Sequence, residues 1–98
     1  MNAHIGDPAF PPDYHTAKVH IRFVKGIHMR PASKIVQLAQ RFQAQITLQC
    51  EQRQAKAHSM TQLLLLEATH GQTIHIFAQG PDAQHAVKTL VSFLKSSS

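Results

Sequence analysis

The sequence predicts a two-layer α/β domain, an α+β open-faced sandwich of order β-α-β-β-α-β-α. Its four-stranded antiparallel sheet carries three helices on one face. Three observations predict it. Apolar residues alternate singly through Ala17–Phe23, Gln45–Cys50 and Thr73–Ala78, the mark of half-buried strands. They recur at three and four residues after Pro31 and again after Asp82, as on the inner face of a helix. Between the second and third alternating stretches, Ser59-Met60-Thr61-Gln62 has the capping-box form that opens a helix.

In chain order, Ala17, Val19, Ile21 and Phe23 alternate with Lys18, His20 and Arg22 in the first strand, which starts near Ala17. After Val24-Lys25-Gly26 the first helix carries Ile35, Val36, Leu38, Ala39 and Phe42 on one side. Ile46, Leu48 and Cys50 face inward from the second strand. Glu51 to Gln54 supplies a polar turn, and a short strand from Ala55 to Ala57 pairs back. The second helix runs from Ser59 to about Ala68, with Gly71 as its stop. Ile74, Ile76 and Ala78 form the inner face of the fourth strand. Gly80-Pro81-Asp82 turns the chain into a last helix with Ala83, Ala86, Val87, Leu90, Val91 and Leu94 as its stripe.

Composition bounds the function. A chain of 98 residues, 43% apolar and 15% charged, is one soluble domain. Residues 1–16 hold three of the five prolines and no apolar period, so they read as a flexible extension before a folded domain over 17–95, with 96–98 as a disordered tail. Phe10 and Tyr14 in that extension are placed to lie on an exposed sheet face. No apolar run approaches the ~20 residues that cross a bilayer. The start lacks the basic-then-apolar pattern of a secretion signal. The single cysteine, Cys50, allows no internal disulfide and suits a reducing, cytoplasmic setting. The net charge of +5 favours acidic partners, but the ten Lys and Arg residues are scattered. The strands offer no paired surface aromatics to stack bases, so nucleic acid is not an expected partner. The eight histidines form no HxxxH pair and no Cys/His cluster, so no metal site is expected.

His28 is singled out by its surroundings, Gly26-Ile27-His28-Met29-Arg30-Pro31-Ala32. Pro31 belongs to the first turn of a helix, where a missing N–H costs nothing. Local rules place Pro31 at N1 and Arg30 at the N-cap, and a start one or two residues earlier is equally compatible. Each choice puts His28 at the positive end of a helix beside free amides, a ready anion site. Arg30 adds a planar cation that forks onto phosphate oxygens. An imidazole nitrogen there can attack a phosphoryl donor while these groups hold its charged oxygens. On local rules alone, a loop histidine near a helix start is the plainer account.

The GIHMRPA stretch closely resembles the active-site signature of the HPr family, the histidine-containing phosphocarriers of the bacterial phosphotransferase system. The resemblance spans about residues 17 to 95, and the stretch from His58 to Val87 is similar to nitrogen-branch and proteobacterial members. It implies a phosphoryl carrier that is not itself an enzyme and that binds no cofactor. His28 becomes the phosphorylated residue, by a ring nitrogen the sequence does not specify, with Met29 and Arg30 contacting the phosphate. The implied partners are an Enzyme I-type donor and IIA-type acceptors, serving sugar uptake or, alternatively, a nitrogen-type regulatory relay. The carrier is expected to be a monomer. Met29, Ser33, Met60, Thr61 and Leu64 match the family's docking surface, although helix packing accounts for Leu64 equally well. Ser59 falls where many relatives carry a serine phosphorylated by an HPr kinase/phosphorylase, and a plain N-cap accounts for it without modification. Two features depart from the family: the 16-residue extension, and His58 where serine-regulated relatives have a lysine.

Overall fold

The computed structural model describes residues 13–96; of the expected extension (1–16) and tail (96–98), residues 1–12, Phe10 among them, and 97–98 lie outside the described residues. Seven elements follow in order: β1 (Tyr14–His20), α1 (Met29–Ala39), β2 (Gln45–Cys50), β3 (Arg53–Lys56), α2 (Met60–Leu65), β4 (Thr73–Gln79) and α3 (Ala83–Lys95). The strands form one antiparallel sheet in the order β1-β4-β2-β3. This is the expected order and sheet.

The boundaries moved where local signals are weak. β1 begins at Tyr14, not Ala17, with Tyr14 opposite Gln79 and His20 opposite Thr73. Three residues assigned to the extension are therefore sheet, and Tyr14 and Thr16 are good strand formers. β1 ends at His20. Ile21 and Phe23 still point inward and are buried, so the alternation outlasts the strand. The β2–β3 turn spends only Glu51 and Gln52, with Glu51 at φ 57°, and β3 starts at Arg53 rather than Ala55. α2 stops at Leu65 rather than Ala68, because Glu67 takes the left-handed conformation that ends a helix. Gly71 does not make that stop. Ser96, placed in the tail, is tied to the end of α3 by its hydroxyl donating to the Phe93 carbonyl at 2.6 Å.

Alternation in the strands gives the sheet two unlike faces. Leu48, Ile74 and Ile76 turn inward and are fully buried beneath α1, α2 and α3, whose own inner positions include Ile35, Leu63, Leu90 and Leu94. Truncating one such leucine to alanine costs about 2–5 kcal/mol. Cys50 is buried at the end of β2; burial pushes its thiol pKa up, and it donates to Gln72 at 3.4 Å.

The outward face corrects one premise. β1 and β4 set Tyr14 and Phe77 side by side, ring centroids 6.4 Å apart, and His75 lies 4.0 Å from Phe77. The strands therefore do carry neighbouring surface aromatics. The sequence hides this pattern because Tyr14 precedes the alternating run that starts at Ala17.

Candidate functional site

The segment between β1 and α1 is fixed by backbone bonds before any side chain contributes. Gly26 sits at φ +69°, and a Cβ there would lie 2.2 Å from the Ala68 carbonyl oxygen, so both conformation and space demand glycine. Its N–H donates to Phe23 O at 2.9 Å. The next amide, Ile27, donates to Ala68 O at 3.0 Å while the Ile27 side chain is buried. The His28 N–H donates to Gly26 O at 3.1 Å. The loop after α2 thus anchors the residue immediately before His28.

His28 is the N-cap of α1, in extended conformation (φ −95°, ψ −164°), and its ring makes no capping bond. The helix starts at the earliest of the positions local rules allowed, so Pro31 is N3 rather than N1. Its missing N–H falls among the donors that lack helical partners anyway. The first intrahelical bond runs from Ala32 N to His28 O at 3.0 Å. Met29 and Arg30 at N1 and N2 hold amides without intrahelical acceptors, and no acidic side chain occupies the first turn. His28, Met29 and Arg30 are all exposed.

A depression of about 280 Å³ opens here, lined by Phe23, His28, Arg30, Pro31, Lys34 and Phe93. Arg30 and Lys34 are one turn apart on α1 and so share its face. The Phe23 and Phe93 rings, 5.3 Å apart, supply an apolar wall. An imidazole, two free amides, a guanidinium and an ammonium around a small open hollow can receive a phosphoryl group and balance its charge.

Of the predicted residues, the structure brings His28 and Arg30 together in this hollow. Met29 stands beside it, 67% exposed. Ser33 is half-buried on α1. Across the α1–α2 packing contact, Met60 and Leu64 are half-buried against the core, and Thr61 is exposed. The outward leucine of α2 is Leu65, at 65% exposure, not Leu64. Ser59 caps α2, its hydroxyl oxygen accepting from Gln62 N at 3.2 Å. The Gln62 side chain accepts from Lys56 N at 2.8 Å instead of returning to Ser59, so only half of the capping box is made. Lys34, Phe23 and Phe93 were not anticipated. Lys34 shares the face of Arg30 and was open to helical spacing, whereas nothing local links Phe23 to Phe93, seventy residues on. Among the described residues, no group of three His, Cys, Asp or Glu side chains is placed to hold a metal ion.

Comparison with known proteins places this fold. Residues 15–96 match the family described as the PTS HPr component phosphorylation site. The chain is 36% identical over 77 residues to the phosphocarrier protein HPr of Vibrio cholerae, covering 79% of this chain and 91% of that one. It is 33% identical over 72 residues to the phosphocarrier protein NPr of Escherichia coli K12, covering 72% and 80%. The crystal structure of HPr from Thermoanaerobacter tengcongensis superimposes with a TM-score of 0.81 at 29% identity, over 85% of this chain and 93% of that one. The fold is that of the phosphocarrier class. The chain belongs to the HPr family and is a phosphocarrier of the phosphotransferase system.

Proposed function

We propose that His28 carries the phosphoryl group. The observation behind this reading is an exposed N-cap imidazole that leaves the amides of its own helix uncapped, beside Arg30. An unprotonated ring nitrogen of His28 attacks phosphorus. The new N–P bond forms as the bond to the donor breaks, and that electron pair stays on the donor. The amides of Met29 and Arg30, the Arg30 guanidinium and the Lys34 ammonium balance the phosphoryl oxygens. This is positioning and electrostatics, which is most of what phosphoryl transfer requires. Onward transfer is the same displacement with His28 as leaving group. The chain is a stoichiometric carrier rather than a catalyst, and it acts as a cytoplasmic monomer.

The donor in this reading is an Enzyme I-type protein and the acceptors are IIA-type proteins. Met29, Ser33, Thr61 and Met60 form the docking surface around the hollow, with Leu65 taking the outward place expected of Leu64. The similarity to NPr supports a second reading, in which the phosphorylation state serves regulation rather than sugar uptake. Ser59, at the head of α2, is the candidate for modification by an HPr kinase/phosphorylase. Incubation with Enzyme I and phosphoenolpyruvate, followed by intact mass, tests the central assignment. One added phosphoryl group, lost in acid and kept in alkali, is expected, and full labelling of His28→Ala overturns it. Rates of transfer to sugar-branch and nitrogen-branch IIA proteins separate the two roles.

A further inference from the structure

We infer that the open face of the sheet, together with the edge of β1, binds single-stranded nucleic acid. Two independent features meet there. The first is the aromatic platform of the outward face, where Phe77 and His75 lie 4.0 Å apart along β4 and Tyr14 adjoins Phe77 from β1. Phe77 and His75 are only half-buried. The His75 and Phe77 rings overlap at a tilt of 35°, with Tyr14 tilted by 37° beside Phe77, and the π surface this cluster leaves outward can stack on a base whatever its sequence.

The second feature is a groove of about 430 Å³ running along β1, lined by Lys18, His20, Arg22, His70 and Lys95 together with Val19 and Ile21. Its titratable side chains are all basic. Lys18 belongs to both features, since it is register partner to His75 on the outward face. Burial, and then the Lys18 charge, lower the pKa of His75, and its Nε2 lies 2.6 Å from the Thr16 hydroxyl. Its ring therefore favours the neutral form and acts as a stacking surface rather than another cation.

The rest of the face fits the same ligand. The outward positions flanking Phe77 and His75 on β2 and β3 are Thr47, Gln49, Gln54 and Lys56, and no outward strand position carries a carboxylate. Amide and hydroxyl groups offer donors and acceptors to base edges, while the groove takes the phosphates. Lysines on an edge strand also protect a sheet from pairing with another. That role does not account for stacked rings on β4, an inner strand. The chain's charge of +5 complements a polyanion.

The test uses the full chain and a fluorescein-labelled octauridylate, followed by anisotropy at about 50 mM salt and upward. Saturable binding is expected, weakening with a log–log salt slope of roughly −2 for the three charges Lys18, Arg22 and Lys95. Phe77→Leu keeps apolar volume but removes the π face; it should weaken binding about tenfold without changing the slope. Arg22→Ala should flatten the slope by about 0.7. Lys88→Ala, on the exposed side of α3, should change affinity less than twofold. Phosphoryl acceptance by each variant reports that it is folded. Absence of saturable binding, binding indifferent to Phe77→Leu, or an equal effect from Lys88→Ala overturns the inference. Displacement of the RNA by an acidic peptide with no dependence on Phe77 would assign the face to a protein partner instead.

Discussion

The first two helices start in opposite ways. At α2 the N-cap side chain is used: the Ser59 hydroxyl oxygen takes the Gln62 amide, the Ser59 N–H goes to Lys56 O at 3.0 Å, and Gln62 ties Lys56 in turn. At α1 the residue in the same structural position is His28, which caps nothing, and a proline three residues on removes a donor outright. α3 offers a third arrangement. Its N-cap, Asp82, makes no side-chain cap but holds the Gln43 and Ala44 amides at 2.9 Å each, and these bonds lower its carboxyl pKa. Two starts are thus used for local or long-range tethering. Among these three starts in the described residues, α1 is the one whose N-cap side chain makes no hydrogen bond and stays exposed beside its first amides. An uncapped start gives up about 1 kcal/mol of helix stability, and in the proposed function it keeps an anion site available.

The comparison breaks most completely at His28. His28→Ala should abolish donor-dependent phosphorylation, read as loss of the mass increment with Enzyme I and phosphoenolpyruvate. Its thermal stability should stay close to the parent's, because the ring contributes no cap. A large fall in melting temperature would mean that His28 is structural, as Ser59 is.

Gly26 tests what positions the open start. Gly26→Ala forces a Cβ against Ala68 O at a left-handed φ. It should cost about 2–3 kcal/mol in denaturant unfolding. It should also slow phosphoryl acceptance, by displacing the Ile27–Ala68 bond that anchors His28.

Arg30 separates the site from the fold. Arg30→Ala should slow transfer about 10- to 100-fold, equivalent to ~1.4–2.7 kcal/mol in the transition state. Arg30 is exposed, so the melt should hardly move. Equal losses in rate and stability would place the guanidinium in packing instead.

These contrasts show which parts were legible in the sequence. Strand alternation exposed Ile46, Leu48, Ile74 and Ile76 as inner residues because a period of two leaves a single choice of face. Ser59 was legible as a cap because its partner is three residues away. The phase of α2 was not: in Leu63-Leu64-Leu65-Leu66 every position is leucine, so a helix of six residues shows no face. Tertiary packing chose Leu63 and Leu66 for the core and left Leu65 outside. The wall of the hollow was hidden for a different reason, since Phe23 and Phe93 meet only once α3 has folded across β1. The motif named the histidine and the arginine, but long-range packing made the hollow.

The capped start carries the smallest effects, and two substitutions at Ser59 separate its possible roles. Ser59→Ala removes the acceptor for Gln62 N and should cost about 1 kcal/mol, while transfer to His28 runs near the parent rate. Ser59→Asp keeps an acceptor and adds negative charge at the positive end of α2, so stability should stay within about 0.5 kcal/mol. What it does to transfer decides the matter. A charge at Ser59 stands beside Met60 and Thr61 on the proposed docking surface, and desolvating it against a partner is unfavourable. If that surface is used, Ser59→Asp should accept phosphate about tenfold more slowly, close to 1.4 kcal/mol. Melts and transfer rates measured on both variants then give opposite signatures, stability lost without rate for alanine and rate lost without stability for aspartate. An aspartate variant as fast as the parent would leave Ser59 as a cap alone.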